Sequence, residues 1–496
     1  MKYILALDEG TTSCRSVIYD ENADPVSSAQ KEFTQIYPKA AWVEHDPQEI
    51  WAAQLFTIKE ALRQAFLSPG DICAIGITNQ RETAVIWNRR TGKPLCNAIV
   101  WQCRRTAEYC GELSEDEGFK DYVQKTTGLL IDPYFSATKI KWVLDNVPGA
   151  REGAEAGEVV FGTIDSWLIY KLTGGKSHIT DHTNASRTML FDITKLKWDE
   201  KLLDKFEIPE KMLPETVESS GICAYTDREV FGEAVPIAGI AGDQQSSLFG
   251  QGCFEAGQAK NTYGTGCFLL MNTGTAPVFS KNSLVTTIAY RIRGKTYYAL
   301  EGSVFVGGAV IQWLRDEMGL IENSAESEQC ALKVEDTAGV HIVPAFTGLG
   351  APHWASEARG IITGITRGAN KNHIVRAALE AIAYQVYDLA ECLQKDSGLR
   401  LPAINVDGGA AENNFLMQFQ ADIMGFPVNR PINTETTSLG AAFLAGLGAG
   451  IFPDMDFLGK LRRTGRVFEP KTERKKAREL LEGWEKAVQR CLWRSE

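Results

Sequence analysis

The stretch LALDEGTTSCRSVIYD, Leu5 to Asp20, sets Asp8, Gly10, Thr11, Thr12 and Ser13 between two apolar runs. A hairpin needs only a tight turn at that place, so three consecutive hydroxyl residues are more than turning requires. Hydroxyls beside a glycine, where backbone N–H groups can converge, make a cradle for an anion such as phosphate. A second stretch from Gln258, QAKNTYGTGCFLLMNTG, repeats the outline with a polar start, a Gly264-Thr265-Gly266 turn and an apolar run. Two such turns facing each other would act as jaws on one phosphate chain. Asp8, at the end of the first run, is placed to hold magnesium through water, since that ion favours one or two carboxylates together with phosphate oxygens. No GxxxxGK[ST] occurs in the chain, so this is not the P-loop solution.

The elements that must carry these turns follow from periodicity. YILALD, CRSVIYD, DICAIGIT, TAVIWN and NAIVWQ read as strands, and PQEIWAAQLFTIKEALRQAF between them has helical spacing. The pattern is α/β, and the hairpin at the start makes the sheet mixed. Because the outline restarts after PIAGIAGDQQSSLFGQG, two domains of one plan are expected, residues 1–251 and 252–496, with mixed sheets flanked by helices and a cleft between them. The segment from Lys471, with TERKKAREL, reads as a solvated amphipathic helix.

Composition narrows the function classes. The 496 residues are 44% hydrophobic and 23% charged, enough for a large core, and the net charge of -11 argues against a surface built for nucleic acid. The opening apolar run is too short for a secretory leader, and no later run reaches the roughly 18 residues of a membrane span, so a cytoplasmic protein without membrane insertion is expected. The 11 cysteines are scattered and form no CxxC pair, which fits reduced thiols in core positions. His178 and His182 stand four apart without an accompanying ligand pattern, and a metal site is not expected there.

The motifs DEGTTS, GITNQRETAVIW, TDHTNASRTMLFDI, AGDQQ, NTYGTG, FTGLGAPHW and VDGGAAENNFLMQFQADIMGFPV together resemble the FGGY carbohydrate kinases, and within them the members that act on glycerol. The likeness runs from Tyr3 to about Gly450. It implies the actin-like (ribonuclease H-like) ATPase fold in both domains and ATP-dependent phosphorylation of glycerol to sn-glycerol 3-phosphate, with magnesium, by in-line phosphoryl transfer. Many relatives have Gln where this chain has Glu9; the neighbouring Asp8, Gly10, Thr11 and Thr12 match.

By this resemblance Arg81, Glu82, Tyr134, Asp243 and Gln244 form the glycerol site, with Trp101 and Phe268 covering its carbon backbone. The inventory suits a triol, whose hydroxyls each need donors and acceptors. Asp243 matches the catalytic base and also stands where it could cap the helix QQSSLFG. A weak base suffices because the phosphoryl-transfer transition state is loose and positioning dominates. Thr11, Thr12, Ser13, Arg15 and Thr265 match contacts to the nucleotide's phosphates, and Gly308, Gln312, Gly409 and Asn413 its adenosine contacts, with Gly408 preceding Gly409 in the same turn. A homodimer or homotetramer is the family's usual assembly.

Two rivals bear on this reading. Pentulose kinases of the same fold resemble one another around Gly-Gln-Met-His, where this chain has the NQRET segment with Arg81 and Glu82. Nucleotide-gated modules such as actin share the two-jaw architecture, and fold alone does not separate them; the polyol-binding set does. Regulation is also addressed by resemblance. Some relatives use a Gly-rich, Arg-bearing loop for inhibition by fructose 1,6-bisphosphate, and others a His there that a phosphocarrier protein phosphorylates. Here the loop TDREVFGEAV holds only Arg228 between Asp227 and Glu229, and no His, so neither control is expected.

Overall fold

The computed structural model describes residues 2–355 and 357–493. Its main feature is a mixed sheet of 13 strands. In chain order these are β1 (Tyr3–Glu9), β2 (Ser13–Tyr19), β3 (Pro25–Glu32), β4 (Ile72–Asn79), β5 (Ser220–Tyr225), β6 (Pro236–Gly242), β7 (Ala259–Tyr263), β8 (Cys267–Gly274), β9 (Val285–Ile292), β10 (Lys295–Val304), β11 (Ile404–Asp407), β12 (Val428–Pro431) and β13 (Thr464–Phe468). Across the sheet the order is β13-β12-β11-β7-β8-β10-β9-β5-β6-β4-β1-β2-β3.

That order contains one plan twice. In the first half β1 pairs antiparallel with β2 and parallel with β4, β4 pairs parallel with β6, and β2 pairs antiparallel with β3. In the second half β7 pairs antiparallel with β8 and parallel with β11, β11 pairs parallel with β12, and β8 pairs antiparallel with β10. The repetition anticipated from two hairpins therefore extends to the strands beside them. Two separate sheets were expected, but the edges meet: β5 and β9 share the single pairing Ser220↔Ile292.

The helices tie the halves together more closely than a linear division suggests. Helix α1 (Pro47–Ala65) begins at Asp46, whose side chain accepts from the Gln48 N–H, and covers the first sheet with Ile50, Ala53, Ile58 and Leu62. A short helix α2 (His182–Ala185) is capped by Asp181. Helix α3 (Asp243–Gly250) follows β6 directly, and Gly252 lies in the turn after it. In the second half come α4 (Ala309–Asp316), α5 (Lys371–Ser397), α6 (Asn414–Met424), α7 (Thr436–Gly448) and α8 (Arg474–Leu492).

Although α7 comes late in the chain, it lies on the first sheet. A methyl group added at Gly76 of β4 would stand 2.1 Å from the Ala441 carbonyl oxygen, and one at Gly440 would stand 1.8 Å from the Ser246 carbonyl oxygen of α3. Only glycine permits so close an approach. In return α3 reaches the second half, where the Ser247 hydroxyl and the Gln251 amide donate to Asp407 Oδ2 at 2.8 and 2.9 Å.

Two local expectations need correction. NAIVWQ forms only the two-residue strand Ala98–Ile99, because the chain turns there and carries Trp101 to the cleft. The C-terminal helix α8 is amphipathic but not merely solvated: it buries Ala477, Trp484, Ala487 and Val488, and Trp484 stacks on Tyr384 with ring centres 5.3 Å apart. Among the described residues, no helix is long and apolar enough to cross a membrane.

Candidate active site

The site is assembled from strand ends. β1, β4 and β6 run parallel, with Asp8 opposite Thr78 and Gly242 opposite Asn79, so Asp8, the Gln80–Glu82 segment and Asp243 leave the sheet side by side. The first hydroxyl-rich turn is closed by the Gly10 N–H donating to the Ser13 carbonyl at 2.9 Å, and the second by the Gly264 N–H donating to the Gly266 carbonyl at 2.9 Å. The Gly308 N–H donates to the Gly264 carbonyl at 2.8 Å, which seats the start of α4 against the second turn. Thr12 and Thr265 are exposed at the tips, and Thr11 and Ser13 are half-buried. Trp101 spans the gap: its indole N–H donates to Thr11 Oγ1 at 3.0 Å, and its ring meets Tyr134 edge-on at 5.5 Å and Phe268 at 6.4 Å.

Below these rings lies a buried set of four charges. Arg81 Nη1 and Nη2 donate to the two Glu301 oxygens at 2.5 and 2.9 Å, in bidentate fashion. Arg187 Nε donates to Glu82 Oε1 at 2.6 Å, and its Nη2 to Glu301 Oε1 at 3.1 Å. Burial pushes the Glu82 carboxyl up against the pull of Arg187 and Arg81, whereas Glu301, buried too but held by both guanidiniums, is brought down to about 2. Glu82 has φ 60°, a left-handed backbone that costs a non-glycine residue roughly 1–3 kcal/mol. Ser136 Oγ and Lys139 Nζ donate to its carbonyl oxygen at 3.0 and 3.1 Å and hold it there.

Asp243 is the first residue of α3, with Gly242 in the capping position, so it is not the cap that the sequence allowed. Its Oδ1 accepts from the Gln244 N–H at 2.7 Å and lies 3.2 Å from Arg81 Nε, and its side chain is 27% exposed. The carboxylate thus faces the cleft at the positive end of a helix. Gln244 is buried, and its Oε1 accepts from Lys260 Nζ at 2.5 Å. Burial brings the Lys260 ammonium down to about 8, against Asp407 and Asp243, which raise it.

Asp8 lies at the floor between the turns. Burial raises it, Arg15 lowers it, and the carboxylates of Glu435 and Asp243 raise it again, to about 7. Arg15 is itself paired with Glu435, at the start of α7, and donates to Gln30 Oε1 at 2.7 Å. Glu9 is fully buried, and burial holds its carboxyl well above the usual range, with Gln80 Nε2 donating to Oε1 at 3.0 Å.

In the second half, Gly408 has φ 84° and follows β11; a methyl there would lie 2.6 Å from the Tyr263 carbonyl oxygen, so the backbone passes close beneath the second turn. Gly409 is exposed, with open space where a side chain would stand, and Gln312 is exposed on α4. Asn413 has structural partners: its Oδ1 accepts from the Leu416 N–H at 2.9 Å as the cap of α6, and its Nδ2 donates to Ser327 Oγ at 3.2 Å. His178 and His182 serve the core, bonding the carbonyls of Phe161 and Val217.

Sequence reasoning missed Arg187, Glu301 and Lys260. Each had a signal, a single charge inside an apolar or hydroxyl-rich stretch: NASRTMLF, YYALEGSVF and QAKNTY. Buried charges of this kind require partners.

Comparisons with known proteins agree with this architecture. The model of the FGGY family of carbohydrate kinases, N-terminal domain, matches residues 3–250, and that of the C-terminal domain matches residues 259–449. A glycerol kinase of Caldanaerobacter subterraneus subsp. tengcongensis is 58% identical over 496 residues, covering 100% of both chains. One of Carboxydothermus hydrogenoformans is 60% identical over 491 residues, covering 99% of this chain and 98% of the relative. Among solved structures, Plasmodium falciparum glycerol kinase with ADP superposes with a TM-score of 0.94 at 41% identity, covering 100% of this chain and 99% of that one. The chain belongs to the FGGY family of carbohydrate kinases.

Proposed function

We propose that this chain transfers the γ-phosphoryl group of ATP to a terminal hydroxyl of glycerol, giving sn-glycerol 3-phosphate and ADP. The observation that carries the reading is that Arg81, Glu82, Tyr134, Asp243 and Gln244 are joined by hydrogen bonds and ion pairs in one array beside the Trp101 and Phe268 rings. Such a set offers donors and acceptors to three hydroxyls and an apolar wall to three carbons.

In this reading Asp243 takes the proton of the attacking hydroxyl, and Arg81 steadies Asp243 in place. The turn of Thr11, Thr12 and Ser13 and that of Thr265 orient the β- and γ-phosphates, with Arg15 turning from Glu435 to the phosphate side. Gly308, Gln312, Gly409 and Asn413 receive the adenosine end. A magnesium ion fits beside Asp8, whose carboxyl is raised to about 7 chiefly by burial, with the charges of Glu435 and Asp243 adding to the rise, so that a cation there would be favoured. Among the described residues, no three His, Cys, Asp or Glu side chains group as a metal cage, so the ion would be held by Asp8 through water and by phosphate oxygens. When bound, it neutralises charge on the transferring group. Closing the jaws excludes water and limits ATP hydrolysis. A cytoplasmic location and a homodimeric or homotetrameric assembly belong to the same proposal.

The test is ADP release by the purified chain with ATP and magnesium over glycerol, dihydroxyacetone and pentuloses. Release with glycerol at the highest kcat/KM is expected. A preference for a pentulose, or release without any polyol, would overturn the proposal.

A further inference from the structure

We infer that Glu301, with Arg187, is a positioning residue of the polyol site, and that through it the second half of the molecule sets the pose of substrate ligands carried by the first. This inference rests on the glycerol reading above.

An arginine has five N–H donors. In Arg81 four make hydrogen bonds, Nη1 with Glu301 Oε2 at 2.5 Å and Gln245 Oε1 at 3.2 Å and Nη2 with Glu301 Oε1 at 2.9 Å and Tyr134 Oη at 3.4 Å, while Nε faces Asp243 Oδ1 as an ion pair at 3.2 Å. The contacts are unequal. The two short parallel bonds go to Glu301, which is buried, and they fix the plane of the guanidinium. The contacts with Tyr134 and Asp243 lie on the Nε–Nη2 edge, on the side where Asp243 is 27% exposed. A hydroxyl entering the cleft can exchange with Tyr134 or settle between that edge and Asp243. It cannot displace Glu301, which leaves the Nε–Nη2 edge as the one offered to substrate.

Arg187 extends the device. Its Nη2 shares Glu301 Oε1 with Arg81, while its Nε fixes Glu82 Oε1. Glu301 thus balances two buried guanidiniums at once, and without its charge both the plane of Arg81 and the anchor of Glu82 are lost. The topology gives this a further consequence. Glu301 lies on β10 of the second half, whereas Arg81, Glu82 and Arg187 all come from the first. The polyol ligands therefore take their working geometry only when the two halves are together, which links substrate binding to apposition of the jaws.

The experiment uses the purified full-length chain as wild type, Glu301→Gln, Arg187→Lys, Arg81→Ala and the Arg81→Ala/Glu301→Gln double variant. ADP release is measured with glycerol and ATP varied separately, together with the rise in melting temperature caused by glycerol alone. Glu301→Gln is expected to raise the KM for glycerol roughly ten- to hundredfold, the range for loss of hydrogen bonds to a charged partner, and the KM for ATP by less than about threefold. The glycerol-induced rise in melting temperature should shrink in step. Since Glu301 acts in part through Arg81, the loss of glycerol binding in the double variant should be clearly smaller than the sum of the two single losses. Arg187→Lys, which keeps the charge but not the fork, should show the same selective rise in glycerol KM and carries the test if Glu301→Gln does not fold. An unchanged glycerol KM, equal rises for glycerol and ATP, or additive losses in the double variant would overturn the inference while the glycerol reading stands. A wild type that ignores glycerol would overturn that reading, and the inference with it.

Discussion

Replacing Asp243 by Asn separates positioning from proton transfer. In the structure Asp243 Oδ1 accepts from the Gln244 N–H at 2.7 Å and faces Arg81 Nε at 3.2 Å, and an amide oxygen at the same place can serve both. The variant therefore keeps the shape of the polyol floor. It does lose a charge opposite Arg81, but that guanidinium is already balanced by the shorter bonds to Glu301 at 2.5 and 2.9 Å. The cost in ground-state binding should stay near 1 kcal/mol, less than about tenfold in glycerol affinity. The amide cannot accept the hydroxyl proton, and loss of a positioned base costs typically 10² to 10⁴ in rate, roughly 3 to 5 kcal/mol of barrier. The expected signature is a fall in kcat of at least about a hundredfold with glycerol binding nearly preserved. A coupled assay for ADP gives kcat, and the glycerol-induced shift in melting temperature gives binding independently. Turnover within about tenfold of wild type would refute the argument and leave Asp243 as a first-turn helix residue only.

Trp101→Phe removes the indole N–H donated to Thr11 Oγ1 at 3.0 Å but keeps a ring beside Tyr134 and Phe268, so the KM for ATP should rise several-fold, about 1 kcal/mol; an unchanged value would mean that Thr11 needs no such anchor. Gly440→Ala forces a methyl to within 1.8 Å of the Ser246 carbonyl oxygen, and should destabilise the chain by at least about 1–3 kcal/mol, seen as a lowered urea midpoint; a wild-type midpoint would show that α3 and α7 part freely. His45 is buried, and burial brings it from 6.5 down to about 4. The unfolded chain therefore takes up that proton first as pH falls, so stability should drop between about pH 6.5 and 4, by up to roughly 3 kcal/mol from this residue, and His45→Gln should flatten the drop; parallel profiles would contradict the assignment. Millimolar fructose 1,6-bisphosphate should leave the rate unchanged, since the one cation of its loop, Arg228, lies 3.6 Å from Glu233 beside Asp227 and Glu229, and saturable inhibition would contradict that reading.

The two jaws were legible in the sequence because their chemistry is local: a turn with surplus hydroxyls next to a glycine announces itself within six residues, and so did the repetition of the plan. The polyol ligands were legible only through the resemblance, since Arg81 and Glu82 as an isolated pair look like any surface ion pair. What escaped was non-local. Glu301 meets Arg81 across 220 positions of chain, and nothing around either residue names the other. The same holds for α7, whose partners, Gly76 in the first sheet and Ser246 on α3, belong to the other half of the sequence. Asn413 carries a structural role the motif did not announce: the residue expected at the nucleotide also caps α6 and bonds Ser327.

The most direct test of the account is product stoichiometry. The purified chain is incubated with ATP, magnesium and glycerol, and ADP is counted against phosphorylated polyol with an enzyme that oxidises only sn-glycerol 3-phosphate. The account predicts one sn-glycerol 3-phosphate for each ADP, and almost no ADP when glycerol is omitted. ADP formed at the same rate without glycerol, or a phosphorylated product that is not sn-glycerol 3-phosphate, would contradict it.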